Sequence, residues 1–323
     1  MAFFLAVALS FIPAFVYAAI VYWLDRFEKE PMRLLVGAFI WGAVVSTLGA
    51  IIWTSVLQLG IGLLVGDVAA DIAGTTILAP IVEEILKGLA VALIFLIFPH
   101  EFDSILDGMV YAAITALGFA ATENVLYLYF LGYQDGGYDE MFVLFFLRVI
   151  LGGWGHAVYS AFIGIGLAAA RLTRNPIGKF FFPLLGLVVA IFLHALHNSM
   201  AVFLVSAAGL SGFVALLLVD WFSWLVALVV VLWAIWREQR WMQEQLRDEV
   251  AMGILSEAQY RTASSIMGQT RARMRGRDAR HFYNACANLA QKKHQLARFG
   301  EENGNSARIA QWRAEVARLA PLV

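Results

Sequence analysis

Seven apolar runs follow one another along the first 236 residues: 2–24, 34–58, 72–98, 107–131, 141–170, 181–206 and 213–236. A hydrocarbon core of about 30 Å takes about 20 residues of helix, so each run predicts one transmembrane α-helix. Pro13, Pro80 and scattered glycines fall inside these runs, which membrane helices tolerate. The first run has no basic residues ahead of it and is too long for the apolar stretch of a cleaved signal peptide, so it predicts a retained span. From residue 237 the pattern turns polar. Helical stretches are expected near 256–275, 278–299 and 306–319, with Gly276, Gly300 and Gly304 as breaks. The expected architecture is an all-α polytopic membrane protein. About seven transmembrane helices occupy 1–236, and a helical tail occupies 237–323, with too little apolar content for a large core. The chain shows no internal repeat and no low-complexity tract.

Composition agrees with a membrane protein. Of 323 residues, 61% are hydrophobic and 15% charged, against about 45–50% and about 25% in soluble domains. Such a chain is neither disordered, nor an ordinary cytosolic enzyme, nor a basic nucleic-acid binder. One cysteine, Cys286, excludes an internal disulfide framework. The net charge of −1 hides an asymmetry: residues 237–323 carry 15 Lys/Arg against 9 Asp/Glu. Loop charges then give an orientation. Arg26, Lys29 and Arg33 follow the first run, Arg171, Arg174 and Lys179 follow the fifth, and Arg237 and Arg240 open the tail. The loops 59–71, 132–140 and 207–212 hold no Lys or Arg. The positive-inside rule places the protein in the cell membrane with its N-terminus outside and its tail in the cytoplasm. Loop 99–106 lacks basic residues and is neutral on this point. Trp23, Trp221, Trp224, Trp233 and Trp236 sit near run ends, as interfacial aromatics do.

Polar residues inside the runs carry the chemistry. A charge at mid-bilayer costs at least about 2.5–3.5 kcal/mol, so each such residue is a functional candidate. They are Glu83, Glu84 and Lys87 in the third run, Glu123 and Asn124 in the fourth, and His156 in the fifth. His194, His197 and Asn198 follow in the sixth, and Asp220 in the seventh. Arg148 is near enough to the outer end of its run to snorkel. At about 1.5 Å per residue, Glu83, Glu123, His156 and His194 all come to a middle layer, roughly 15–24 Å from their counted ends. Glu83 and Lys87 share a helix face at i, i+4, as do His194 and Asn198.

Water activation fits this set. Desolvation makes a carboxylate a stronger base, an imidazole can hold the water, and an amide N–H can support an oxyanion. Glu and His also form a first shell for zinc, with Glu123, His156 and His194 as candidate ligands, although no HExxH run is present. Blander roles compete: a buried ion pair for Glu83 and Lys87, interhelical hydrogen bonds for Glu123, Asn124 and His156, packing for His197, and an interfacial or structural role for Asp220 near the outer end of its run. The basic run 271–277 reads as a solvated face. A transporter or proton-coupled carrier could use the same Glu/Lys/His/Asn cluster, and a scaffold could use it only to hold helices together.

Four segments, VEEILKG (82–88), DGMVYAAITALGFAATENVLY (107–127), GHAVYSAFIGIGLA (155–168) and FLHALHNS (192–199), with YWLDRFEKEP (22–31), resemble the PrsW family of intramembrane proteases. That family is related to the type II CAAX prenyl endopeptidases and CPBP proteins. The resemblance covers roughly residues 15–205 and implies a membrane endopeptidase, metal-dependent or not, acting on a membrane protein such as a single-span regulator. It implies Glu83 as base and Glu84, Glu123, His156, His194 and Asn198 as further catalytic residues. Lys87, Asn124 and His197 take supporting positions. His197 stands where the family pattern has an aromatic such as Trp.

Overall fold

Each apolar run is helical in the computed structural model, which describes residues 1–25, 29–301 and 304–323; no strand occurs among these. Backbone amides in lipid find no water, so an apolar run must close its hydrogen bonds within itself. In chain order the helices are α1 (Ala2–Leu24), α2 (Met32–Ile40), α3 (Thr47–Val65), α4 (Asp67–Ala73), α5 (Ala79–Ile97), α6 (Ile105–Leu126) and α7 (Gln134–Leu144). Then come α8 (Gly155–Leu172), α9 (Pro176–Ser199), α10 (Val205–Ala251), α11 (Glu257–Ala263), α12 (Ile266–Arg273), α13 (Arg277–Phe299) and α14 (Asn305–Leu319).

Among the described residues, four largely helical stretches are long and apolar enough to cross a membrane: Ala2–Leu24, Met32–Val65, Ile105–Leu172 and Pro176–Ala251. The count differs from the expected seven for two reasons. The segment holding α4 and α5 carries Glu83, Glu84 and Lys87 close together, which lowers its apolarity. The last two stretches, of 68 and 76 residues, each exceed twice the length of one crossing of about 20 residues. They are helices joined end to end, and the backbone leaves helical geometry at Gly137 (φ 73) and Gly209 (φ 54). The chain is a membrane protein. Leu63, Leu64, Phe180 and Leu210 are among many large apolar side chains left on the outside, where lipid solvates them.

Wide π-helical turns interrupt the regular geometry at Trp41–Ser46, Gly74–Leu78, Tyr127–Tyr133, Phe145–Leu151 and Met200–Leu204. Four of the five lie next to polar intramembrane residues. Gly74–Leu78 precedes α5, Tyr127–Tyr133 follows Glu123 and Asn124, Phe145–Leu151 contains Arg148, and Met200–Leu204 follows Asn198. Single π turns recur at functional sites because they re-aim side chains.

The central element is α6, buried along nearly its whole length. It begins at Ser104, whose hydroxyl oxygen accepts from the Leu106 and Asp107 amides while the Asp107 carboxylate accepts from the Ser104 amide. This capping box satisfies a buried acid and two helix-end donors at once. α6 packs on α8 without side chains between them: a Cβ on Gly108 would strike the carbonyl oxygen of Gly164, and the reverse also holds. Gly166 of α8 and Gly186 of α9 meet the carbonyls of Phe182 and Phe162 in the same way. Small residues at crossings are how membrane helices gain dispersion contacts when burial in water supplies no driving force.

The chain divides into two units, Met1–Leu24 with Glu30–Val230, and Asp25–Lys29 with Val231–Val323. The basic residue Arg26 of the first loop lies outside the described residues. In the second unit, α11 to α14 fall on the expected helical stretches, and Gly300 (φ 82) and Gly304 (φ 71) separate α13 from α14. A small core forms around Phe282, Cys286 and Leu289 of α13 and Val316 and Leu319 of α14. Beside it the buried Glu249 carboxylate accepts both arms of the Arg313 guanidinium at 2.9 Å and the Lys293 ammonium at 3.1 Å.

Candidate active site

The polar residues of α5, α6, α8 and α9 meet in the first unit. On α5, Lys87 is fully buried and its Nζ lies 2.5 Å from Glu84 Oε1 but 3.8 Å from Glu83 Oε2. The close partner is therefore i, i+3, not the i, i+4 residue that spacing favours. The ammonium also sits 4.4 Å from the centre of the Phe119 ring and 3.4 Å from His156 Nδ1. Glu84 is saturated. Its Oε1 accepts from Lys87 and from His194 Nδ1 at 2.9 Å, and its Oε2 accepts from Ser160 Oγ at 2.6 Å. Glu83 is the opposite case: Oε2 is buried with no hydrogen-bond partner, and His194 Nε2 is 3.7 Å away.

A second group adjoins the first. Glu123 Oε2 accepts from Arg148 Nη2 at 2.9 Å and lies 3.0 Å from His156 Nε2. Arg148 Nε donates to Asn124 Oδ1 at 3.1 Å, and the guanidinium stacks 3.6 Å above Tyr127. Arg148 thus turns inward to two α6 residues instead of snorkelling outward. The rings of His156 and His194 stand perpendicular with centres 4.9 Å apart, and Tyr159 stacks on His194 at 5.4 Å. Asp220, expected to be interfacial or structural, is 4% exposed. It accepts from Tyr159 Oη at 3.2 Å and from His197 Nδ1 at 2.8 Å. Asn198 Nδ2 donates to the Thr75 carbonyl at 2.9 Å, which occupies one of its two N–H bonds. Glu83, Glu123, His156, His194, Asn198 and Asp220 all line one cavity of about 350 Å³.

The sequence model of the PrsW family of intramembrane metalloproteases matches residues 30–235. This chain belongs to the PrsW family. It is 28% identical to Protease PrsW of Geobacillus kaustophilus over 148 residues, 46% of this chain and 58% of that protein. It is 25% identical to Protease PrsW of Bacillus subtilis over 210 residues, 65% of this chain and 82% of that one. A third Protease PrsW, from Oceanobacillus iheyensis, is 37% identical over 82 residues, 25% of this chain and 34% of that protein. The chain therefore spans just over half the length of the first of these relatives. No solved structure matches it. The PrsW match starts later than the expected 15 and runs past the expected 205, so it takes in Asp220 on α10.

The residues suit the metal in the family's description. Glu83, His156 and His194 can each offer one ligand atom, all within 4.8 Å of one another. Two imidazoles and a carboxylate make a zinc first shell with a coordination position to spare. The Glu84 bond to His194 Nδ1 leaves Nε2 free for an ion, as carboxylates behind zinc-bound histidines do. The orphaned Glu83 Oε2 is a buried acceptor that a cation would satisfy. Glu123, expected among the ligands, lies outside this trio, on Arg148 and His156. Ser160 and Tyr159 had no signal in the sequence. Arg148 had one, its charge within an apolar run.

Proposed function

We propose that this protein is an intramembrane endopeptidase that hydrolyses a peptide bond of a membrane-protein substrate, for example a single-span regulatory protein. The observation that carries this reading is Glu83 Oε2, which is buried without a hydrogen bond and lies 3.7 Å from His194 Nε2 on the wall of the cavity that Glu123 and His156 also line. Glu83 takes a proton from water as the water oxygen attacks the scissile carbonyl carbon. It returns that proton to the amine nitrogen as the C–N bond breaks. Glu84 has no oxygen left for this work; it orients His194 and balances Lys87. His156 and His194 are the residues that would hold zinc, with Glu83 as the third candidate ligand. Bound zinc supplies Lewis acidity and a more acidic water. Glu123 and Arg148 border the cavity as a charge pair that holds His156 in place.

All three relatives are named proteases, which supports hydrolysis and lends nothing to the carrier alternative. We read the membrane part as seven crossings: α1, α2–α3, α4–α5, α6, α7–α8, α9 and the first half of α10, with residues 237–323 as a cytoplasmic tail. The test of function is cleavage of single-span substrates in reconstituted vesicles. Glu83→Gln keeps size and hydrogen bonding but cannot accept the proton, so it should lose about 10² or more in rate. A near wild-type rate for Glu83→Gln would remove Glu83 as the base.

A further inference from the structure

The membrane half of α10 is attached differently from its neighbours. α6, α8 and α9 interlock main chain to main chain at Gly108, Gly164, Gly166 and Gly186. Between Gly209 and Val230 the glycine of α10 is Gly212, and the nearest atoms to a Cβ there belong to Leu204 and Val205, just before it in the chain. What holds α10 is a buried stripe of Leu216, Asp220, Ser223 and Ala227, while Leu218, Phe222 and Leu225 face outward. At the centre of that stripe Asp220 clasps Tyr159 of α8 and His197 of α9. The helix starts at a natural pivot, Gly209 with φ 54, just after the wide turn Met200–Leu204.

This loosely held helix is also a wall of the cavity. Phe213, Leu216, Leu217 and Asp220 line it together with Glu83 and His194. A substrate anchored by an apolar helix of about 20 residues stays in the lipid and can only approach sideways. Passage between helices is easiest where no backbone interlock has to open.

We propose that the side walled by α10 is the port through which an apolar transmembrane segment of the substrate reaches the cavity. This rests on the endopeptidase reading and adds the route its substrate takes. The Asp220 clasp keeps the port shut when no substrate is present, because a carboxylate parted from Tyr159 and His197 in lipid would be left unsatisfied. An unwinding peptide offers backbone N–H groups that replace both donors.

The test uses the full chain in lipid vesicles with a pool of labelled single-span peptides, each with an apolar core of about 20 residues. A photo-reactive benzoylphenylalanine replaces Phe213 at the port or Phe180, which is 82% exposed on α9. Illumination should capture peptides at position 213 and not at 180. Val158 and Ala227 belong to one packed cluster, so a reducible linker between Val158→Cys and Ala227→Cys fixes α10 in place. Bridging should abolish both capture and cleavage, and reduction should restore both. Equal capture at the two positions, or capture that survives bridging, would overturn the port. Cleavage undiminished in the bridged protein would also overturn it while leaving the endopeptidase reading intact. Capture lost on bridging with no peptide ever cleaved would keep the port and sink the endopeptidase reading.

Discussion

Glu84 Oε1 and His194 Nδ1 lie 2.9 Å apart, and this bond between α5 and α9 turns the imidazole so that Nε2 faces Glu83 at 3.7 Å. Two consecutive glutamates thereby take unlike positions. Glu84 ends on three donors, while Glu83 keeps an oxygen free.

The two should separate on mutation. Removing one partner of a buried ion pair typically costs about 3–5 kcal/mol, because the other charge is left stranded. Glu84→Ala should therefore lower thermal stability in detergent markedly, and Lys87→Met in the same chain should recover part of it. Glu83→Gln should leave the melting temperature much closer to wild type, since Lys87 keeps its nearer partner. Equal destabilisation by both substitutions would mean that Glu83, too, is structural.

Metal content offers a readout independent of turnover. If Glu83, His156 and His194 hold zinc, the purified protein should carry about one ion per chain by elemental analysis. His194→Ala and His156→Ala should each lower that ratio, and Asn124→Ala should not. A wild-type protein free of zinc yet active after exhaustive chelation would leave the two imidazoles a purely hydrogen-bonding role.

Orientation can be read with reporters. The loops 59–71, 132–140 and 207–212 have no Lys or Arg, so a reporter inserted at Gly136 should report an external location. One fused after Val323 should report the cytoplasm. An external tail would reverse the assignment of every loop.

The tail should respond to acid through Glu249. Burial pushes its carboxyl pKa up, but the hydrogen bonds and charges of Arg313 and Lys293 outweigh this and hold it below the ordinary 4.5. A depressed carboxyl contributes stability above its unfolded pKa and loses it as pH falls through the folded value. Amide exchange in α13 should therefore accelerate as pH drops below about 4.5 after correction for intrinsic rates. Glu249→Gln should exchange faster at neutral pH and flatten that dependence.

Much of the site was legible because intramembrane charge is costly: Glu83, Glu123, His156 and His194 stood out against apolar runs and do line one cavity. Their pairing was not legible. Lys87 can reach either glutamate from one helix face, and the choice falls to side-chain torsions and to Ser160 and His194 across the interface. Arg148 was misplaced because Phe145–Leu151 is a wide turn, and a wide turn rotates a side chain away from the direction a regular helix gives it. The span count was harder still, since residues that interrupt apolarity, such as Glu83 and Lys87, also mark the chemistry. The loops expected at 132–140 and 207–212 are not unwound linkers: helices join end to end across Gly137 and Gly209, so two long stretches each take in more than one expected run.

The contact of Gly108 with Gly164 is main chain against main chain, so it has no rotamer through which to relax. The same two helices carry Glu123 and His156, whose bond is 3.0 Å long. A larger residue at either glycine would still be apolar and would still insert, yet it would wedge the helices apart and stretch that bond. Tolerance of sequence drift in this protein thus has two separate limits, one for entering the bilayer and a stricter one for working there, and the stricter limit falls on residues that have no side chain at all.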